Sequence, residues 1–288
     1  MTKTYAVMDT ETTGMVHGED TLVEVAAVHS GGAQRQSLVC PGERSISFGA
    51  MSTHHITDAM VRTAPGPDVA LMDVLNAVPI SLCSDCEGTG ISEGHLEEWD
   101  CKMCHGAGLV FDTSGEPTLP DYLVFHNAEF DRGFLPEWLQ AVPYICTWRC
   151  ALHLLPSAES HSNGSLWYEL GLAHPMPPEA GSMPHRALFD AIMTADILHW
   201  MIDAIMGDRT IIGLEEELPD ADADRALLHL HHLTSSPALL TKCRFGKNHG
   251  ERWVDLDSGF MEWVLRQDFD EDTKHTCRHH LRERGRLR

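Results

Sequence analysis

Two stretches carry residue types and spacings that could do chemistry. The first is Asp9-Thr10-Glu11-Thr12-Thr13-Gly14, which follows the apolar run Thr4-Tyr5-Ala6-Val7-Met8. Residues i and i+2 of a strand project to one side, so Asp9 and Glu11 point together from the strand's end. Two carboxylates in that position repel unless a cation sits between them. Oxygen-only donors suit Mg²⁺ or Mn²⁺. A solvated turn with two acids explains the same residues equally well, so the choice depends on further ligands elsewhere. The second stretch repeats C-x-x-C-x-G-x-G, once from Cys83 to Gly90 and again from Cys101 to Gly108. A C-x₂-C pair puts two thiolates on one tight knuckle, and the glycines permit the turn's backbone angles. Two knuckles make a tetrahedral four-sulfur Zn²⁺ site. Cys83, Cys86, Cys101 and Cys104 fill every position, so the site reads as structural. His95 and His105 are weaker candidates than the repeated cysteines.

These groups need elements to position them. Residues 4–8, 22–28 and 36–39 read as strands, with Gly31-Gly32 as a hairpin signal. Asp68 to Leu75 reads as an amphipathic helix. His54 and His55 have no partner in view, and a structural or surface role suits them better than substrate contact. Asp121 to Phe125 is a further strand. It feeds His126-Asn127-Ala128-Glu129-Phe130-Asp131, which starts a helix with Asp131 in its first turn and Phe130 and Phe134 on its buried face. Tyr144 to Thr147 is a short strand, and 148–155 and 165–172 are helices. A Pro-rich loop over 175–184 leads to His185-Arg186-Ala187-Leu188-Phe189-Asp190, which opens a helix to about Met206. Leu188, Ile192, Ala195, Ile202 and Met206 keep helical spacing on one face. Phe130 and Phe189 read as core residues rather than base-stacking ones.

The 288 residues allow one large domain and a smaller one. The expected division is 1–206, interrupted by an insertion over 79–118, then an acidic linker over 207–224 and a small domain over 225–288. In that last region 224–233, 260–266 and 271–283 read as helices, and Cys243 to Trp253 as a hairpin with a Gly-rich turn. At about 65 residues it is minimal and expected to lean on the first. No run reaches about 18 apolar residues, so no membrane span is expected. The start of the chain lacks a signal peptide's pattern, and paired cysteines without a disulfide framework fit a reducing compartment. Both point to the cytoplasm. The net charge of −22 opposes non-specific wrapping of nucleic acid. The tail from Arg278 to Arg288 runs the other way, with five arginines against one glutamate.

Taken together, three segments match a known pattern. Asp9 to Gly14 resembles the first motif of the DEDD nucleases, and His126 to Asp131 the second. His185-x₄-Asp190, followed by Ala191 and Thr194-Ala195, resembles the third in its histidine-bearing, DEDDh (DnaQ-like) form. Asn127 to Pro136, Ile145-Cys146-Thr147, His161-Ser162-Asn163, Phe245-Gly246-Lys247 and Trp263 further resemble the exodeoxyribonuclease X family. The likeness spans both ends of the chain and omits mainly 79–118, whose knuckles resemble half of the cysteine-rich zinc domain of the DnaJ co-chaperones. It implies an α/β, RNase H-like fold, a mixed five-stranded sheet flanked by helices, with the zinc insertion and a small C-terminal α+β domain attached. It also implies 3′→5′ hydrolysis of DNA ends, single-stranded ones foremost, to nucleoside 5′-monophosphates with two Mg²⁺ or Mn²⁺ ions. In that scheme Asp9 bridges the ions, Glu11 and Asp190 complete one site and Asp131 serves the other. His185 is the general base, a task suited to an ordinary imidazole pKa of about 6.5. Thr12, Thr13, Gly14 and Asn127 meet the terminal nucleotide. Phosphate contacts carry no sequence information, so little sequence preference is expected.

Two other readings stay open. RNA relatives use the same acids, and only the C-terminal segment favours DNA. In a different class, the knuckles could recruit a protein partner, with the nuclease site vestigial; they could instead contact single-stranded DNA, although Asp85, Glu87, Glu93, Glu97, Glu98 and Asp100 around them are unwelcoming to phosphate. For the knuckles themselves, metal analysis should find about one zinc per chain by the four-ligand rule. A Cys83→Ser protein with unchanged zinc content would refute the assignment.

Overall fold

A computed structural model describes residues 2–77, 80–82, 109–111, 118–181, 184–207 and 222–287. The cysteine knuckles at 83, 86, 101 and 104 lie outside the described residues, as does most of the acidic linker. In chain order the first elements are β1 (Tyr5–Thr12), β2 (Leu22–His29), β3 (Gln34–Leu38), α1 (Phe48–His54), α2 (Asp58–Val61) and α3 (Pro67–Val74). Next come β4 (Ile80–Leu82), β5 (Leu109–Phe111), β6 (Tyr122–Phe125), α4 (Ala128–Arg132), α5 (Glu137–Gln140) and β7 (Tyr144–Cys146). The remainder is helical: α6 (Thr147–Leu154), α7 (Asn163–Glu169), α8 (Ala187–Met206), α9 (Ala223–Ser235), α10 (Ser258–Leu265) and α11 (Glu271–Glu283).

The chain forms two compact units, one of Met1–Tyr144 with Ala173–Asp196 and one of Ile145–Leu172 with Ile197–Arg288. The expected five-stranded mixed sheet is present, in the order β3-β2-β1-β6-β7. β1 pairs antiparallel with β2, and β2 with β3, while β1 pairs parallel with β6. The Gly31-Gly32 signal is a tight turn in which Gly32 takes φ +82°. β2 is buried along almost its whole length, Glu24 included, so its acid needs a partner inside the protein. Separately, β4 and β5 pair antiparallel as a small hairpin flanking the cysteine segment.

Three expectations change. α8 buries Ala191, Met193, Ile197, Leu198 and Met201 as well as Leu188, Ile192, Ala195 and Ile202, while Met206 is exposed. It is apolar nearly all round and is covered accordingly, where the periodicity predicts a single face. Phe130 and Phe134 are half-buried rather than core, and join His17 in a cluster of ring contacts at 4.6–6.2 Å. The units also divide differently from the composition-based boundary, because 145–172 group with the C-terminal residues. Cys146 N–H donates to Thr234 Oγ1 at 2.9 Å, and Arg149 pairs with Asp272, whose Oδ1 also accepts from Ala238 N–H at 2.7 Å. The second unit has its own core around Trp253, Cys243, Met261, Val264 and Cys277. Among the described residues no helix is long and apolar enough to cross a membrane.

Candidate active site

β1 outruns its parallel neighbour. Its register with β6 ends at Val7↔Val124, whereas its pairing with β2 continues through Glu11↔Glu24 to a bulge before Thr12. The strand's end is thus open on the β6 side where the acids begin. Asp9 and Glu11 share a face, and the residue opposite Asp9 is the small Ala26. Asp190 arrives from the first turn of α8. Asp9, Glu11 and Asp190 each offer a carboxylate oxygen, and these oxygens lie within 4.8 Å of one another. Asp131 approaches from the first turn of α4, almost wholly buried. Its Oδ1 accepts from Thr10 N–H at 3.1 Å and Thr10 Oγ1–H at 2.8 Å.

The electrostatics follow from this crowding. Burial pushes the Asp9 carboxyl well above its ordinary range, and Asp190, Asp131 and Glu11 add to the shift. Burial, then Asp190 and Glu24, raise Glu11 to about 8. Burial raises Asp131 to about 7 against the opposing Thr10 hydrogen bonds, and Asp190 to about 6 against the opposing His185 N–H. Oxygen donors so disposed fit a hard divalent cation, whose charge would return the acids to their ionised form.

His185 caps this arrangement. Its backbone N–H donates to Asp190 Oδ2 at 3.0 Å, and its φ of +63° lies in the left-handed region, which a non-glycine residue adopts only under constraint. The next residue supplies that constraint. Arg186 reaches Glu24 through Nε at 3.1 Å and Nη2 at 2.5 Å, and Ala187 N–H donates to the same carboxylate at 2.9 Å. The buried acid of β2 therefore ties down the start of α8. Sequence reasoning missed Glu24 and Arg186. The one available signal was an acid inside an otherwise apolar strand.

The loop after β1 departs from expectation in one respect. Thr13 is fully buried, with Oγ1–H donating to Asp20 Oδ1 and N–H donating to Thr21 O, both at 2.8 Å. It shapes the loop and has no free group for a nucleotide. Gly14 packs against the Asp20 carboxylate so closely that a Cβ would lie 2.4 Å from Oδ2. Thr12 donates to Gly14 O. His54 is structural, as expected. Nδ1 accepts from Ile56 N–H at 3.0 Å, which fixes the proton on Nε2, 3.2 Å from Thr12 O. Asn127 is exposed at φ +68° before α4. Ser47 N–H donates to Thr13 O at 2.9 Å, and the neighbouring Phe48 is 89% exposed, as Met15 is 81%. The exposure of these two apolar side chains was not legible, because an exposed aromatic looks like a core one in sequence.

Comparison with known proteins agrees with this geometry. Residues 6–103 match the family model described as Exonuclease (RNase_T). Exodeoxyribonuclease 10 of Escherichia coli K12 is 27% identical over 280 residues, covering 96% of this chain and 97% of the relative. By these matches the chain is similar to DEDDh-type exonucleases. As an exonuclease it is a hydrolase of phosphodiester bonds. A DNA polymerase III subunit epsilon-like protein of Rhodobacter capsulatus is 29% identical over 215 residues, covering 70% of this chain and 24% of that protein. Among solved structures, exonuclease X in complex with 5′ overhanging duplex DNA aligns at TM-score 0.49 and 27% identity, over 73% of this chain and 97% of that one.

Two outcomes test the site of this exonuclease. The raised carboxyl pKa values mean that the folded state binds more protons than the unfolded chain between about pH 4 and pH 8. The carboxyl cluster's contribution to the stability of the metal-free protein should therefore fall as pH rises from 5 to 8, read in EDTA as a melting-temperature gain on Asp9→Asn that grows toward pH 8. Mn²⁺ should restore it most at the alkaline end. Separately, Glu24→Gln keeps the shape but loosens the hold on Arg186 and Ala187. It should lower Mn²⁺ affinity or turnover by roughly 10–100-fold, measured by titrating activity with metal. An unchanged titration would leave the pair a purely structural role.

Proposed function

We propose that this chain is a 3′→5′ exodeoxyribonuclease that releases nucleoside 5′-monophosphates from DNA ends, single-stranded ones foremost. The observation that carries the reading is the meeting of Asp9, Glu11 and Asp190 within 4.8 Å beside His185, whose N–H is bonded to Asp190. The similarity to exodeoxyribonuclease 10 along nearly the whole chain supports DNA as the substrate. Two divalent cations, when bound, would neutralise charge on the attacked and leaving oxygens and acidify water. Asp9, Glu11 and Asp190 would hold one and Asp131, with Asp9, the other. His185 takes the proton of the attacking water. Its exposed ring makes no hydrogen bond among the described residues, so it is free to turn toward substrate. Gly14, Thr12 and Asn127 line the approach of the terminal nucleotide. Cys83, Cys86, Cys101 and Cys104 hold a structural Zn²⁺ on the strength of their spacing, and their segment is a candidate partner surface. Their thiols suit a cytoplasmic setting.

The test is a time course on matched 5′-labelled DNA and RNA oligonucleotides with Mg²⁺ and with EDTA. A metal-dependent ladder shortening from the 3′ end of DNA, absent in Asp9→Ala and slowed roughly 10²–10⁴-fold in His185→Ala, is the expected result. A ladder on RNA alone would keep the chemistry and replace the substrate. Full activity of His185→Ala at neutral pH would remove it as the base.

A further inference from the structure

The second unit contains a cleft of about 1490 Å³ lined by α6, the loop after it, α9, α11 and the hairpin over 241–253. The hairpin is held by Cys243 N–H to Glu251 O and Gly250 N–H to Cys243 O, both at 2.8 Å, and by an antiparallel bridge between Lys242 and Arg252. Alternation along its arms turns Cys243 and Trp253 into the core, at 1% and 0% exposure. The same alternation leaves Lys242, Arg244 and Arg252 exposed, and all three line the cleft.

Like charges directly opposite one another across an antiparallel pair are destabilising. Lys242 and Arg252 stand in that relation, with Arg244 two residues along. Packing gives no reason for this, since an exposed hairpin face accepts any polar residue. Composition gives less, because acids outnumber Lys and Arg by 43 to 21. Lys242 and Arg244 make no ion pair among the described residues, and Arg252 has only the exposed Asp255 at 3.0 Å, a pairing weak enough to exchange. Glu159 is the one acid among the lining residues. Six histidines also line the cleft, and burial lowers the pKa of five of them, so the permanent positive charge at neutral pH is that of the hairpin. The arginine-rich tail is a weaker candidate. Arg284 is engaged by the carbonyls of Val254 and Leu256, and Arg278 by Glu271.

We propose that this cleft is a second nucleic-acid site, in which Lys242, Arg244 and Arg252 contact successive phosphates of a single DNA strand. The half-buried Trp148 on the cleft wall offers an indole face for a base. Cations that follow the backbone and an aromatic platform for stacking are the two components of sequence-tolerant single-strand binding. The site would hold the strand that the nuclease centre shortens, and to that extent the inference rests on the function proposed above. The opposed cations also lose their repulsion once phosphate lies between them.

The experiment uses the full chain in EDTA and a labelled oligothymidylate. The triple variant Lys242→Gln, Arg244→Gln, Arg252→Gln should bind it roughly 10-fold or more weakly at low salt, with the log–log salt slope reduced by about 2, near 0.7 per lost phosphate contact. A charge-preserving triple, Lys242→Arg, Arg244→Lys, Arg252→Lys, should keep both. Equal affinity and slope in the Gln triple would overturn the proposal, and so would poly-glutamate competing as well as DNA. Hydrolysis of thymidine 5′-monophosphate p-nitrophenyl ester reads the nuclease centre alone and should be the same in wild type and triple. If the wild type fails to cleave the ester while the binding difference holds, the proposed activity falls and the cleft stands.

Discussion

Mutual repulsion among Asp9, Glu11, Asp131 and Asp190 is the constraint to which the first unit is built. Burial and proximity raise the pKa of each carboxyl. Nothing in the local sequence offsets that, so the surrounding elements must hold the acids in place. β1 fixes two of them by its pairing with β2. Thr10 holds Asp131 by two hydrogen bonds. The His185 N–H holds Asp190. A site assembled against its own charge is primed for a divalent cation, because the cation relieves what the fold endures.

Glu24 joins the sheet to the helix that completes the site. It lies opposite Glu11, which by itself would worsen the repulsion. Its hydrogen bonds to Arg186 and Ala187 turn that liability into an anchor for the first turn of α8. The anchor places Asp190 at the cluster and leaves His185 at the end of the Pro-rich loop with its ring exposed. Precision at the acids and freedom at the histidine thus come from neighbouring residues of one segment. The loop after β1 is pinned in the same manner by His54, Asp20 and Ser47.

Charge is handled differently in the second unit. Its core around Trp253 is flanked by partly buried aromatic rings: Phe245 stacks on Phe269 at 4.3 Å, and Phe260 on Trp253 at 6.1 Å and on Trp263 at 5.9 Å. Phe245, which reads as a motif residue, packs with Trp253 in this core. The turn they frame presents cations outward. In a chain of net charge −22, this small hairpin keeps three positive side chains on one surface, with Arg252 alone of the three in an ion pair among the described residues.

The sequence by itself determined the strands of the five-stranded sheet, the hairpin at Gly31-Gly32, the helices that carry Asp131 and Asp190, and the identity of the acids, because period, turn chemistry and short motifs are local properties. It also supplied the cysteine repeat, whose spacing is the whole of its argument. Tertiary structure decided the rest. That Glu24 of β2 grips Arg186, 162 residues away, depends on strand order and on where α8 lands, neither of which is encoded in either neighbourhood. The burial of Thr13, the partial exposure of Phe130 and Phe134, and the covering of α8 on nearly all sides depend on what packs opposite. Residue type sets what a side chain can do, whereas its surroundings, built from distant segments, set which of those possibilities is realised.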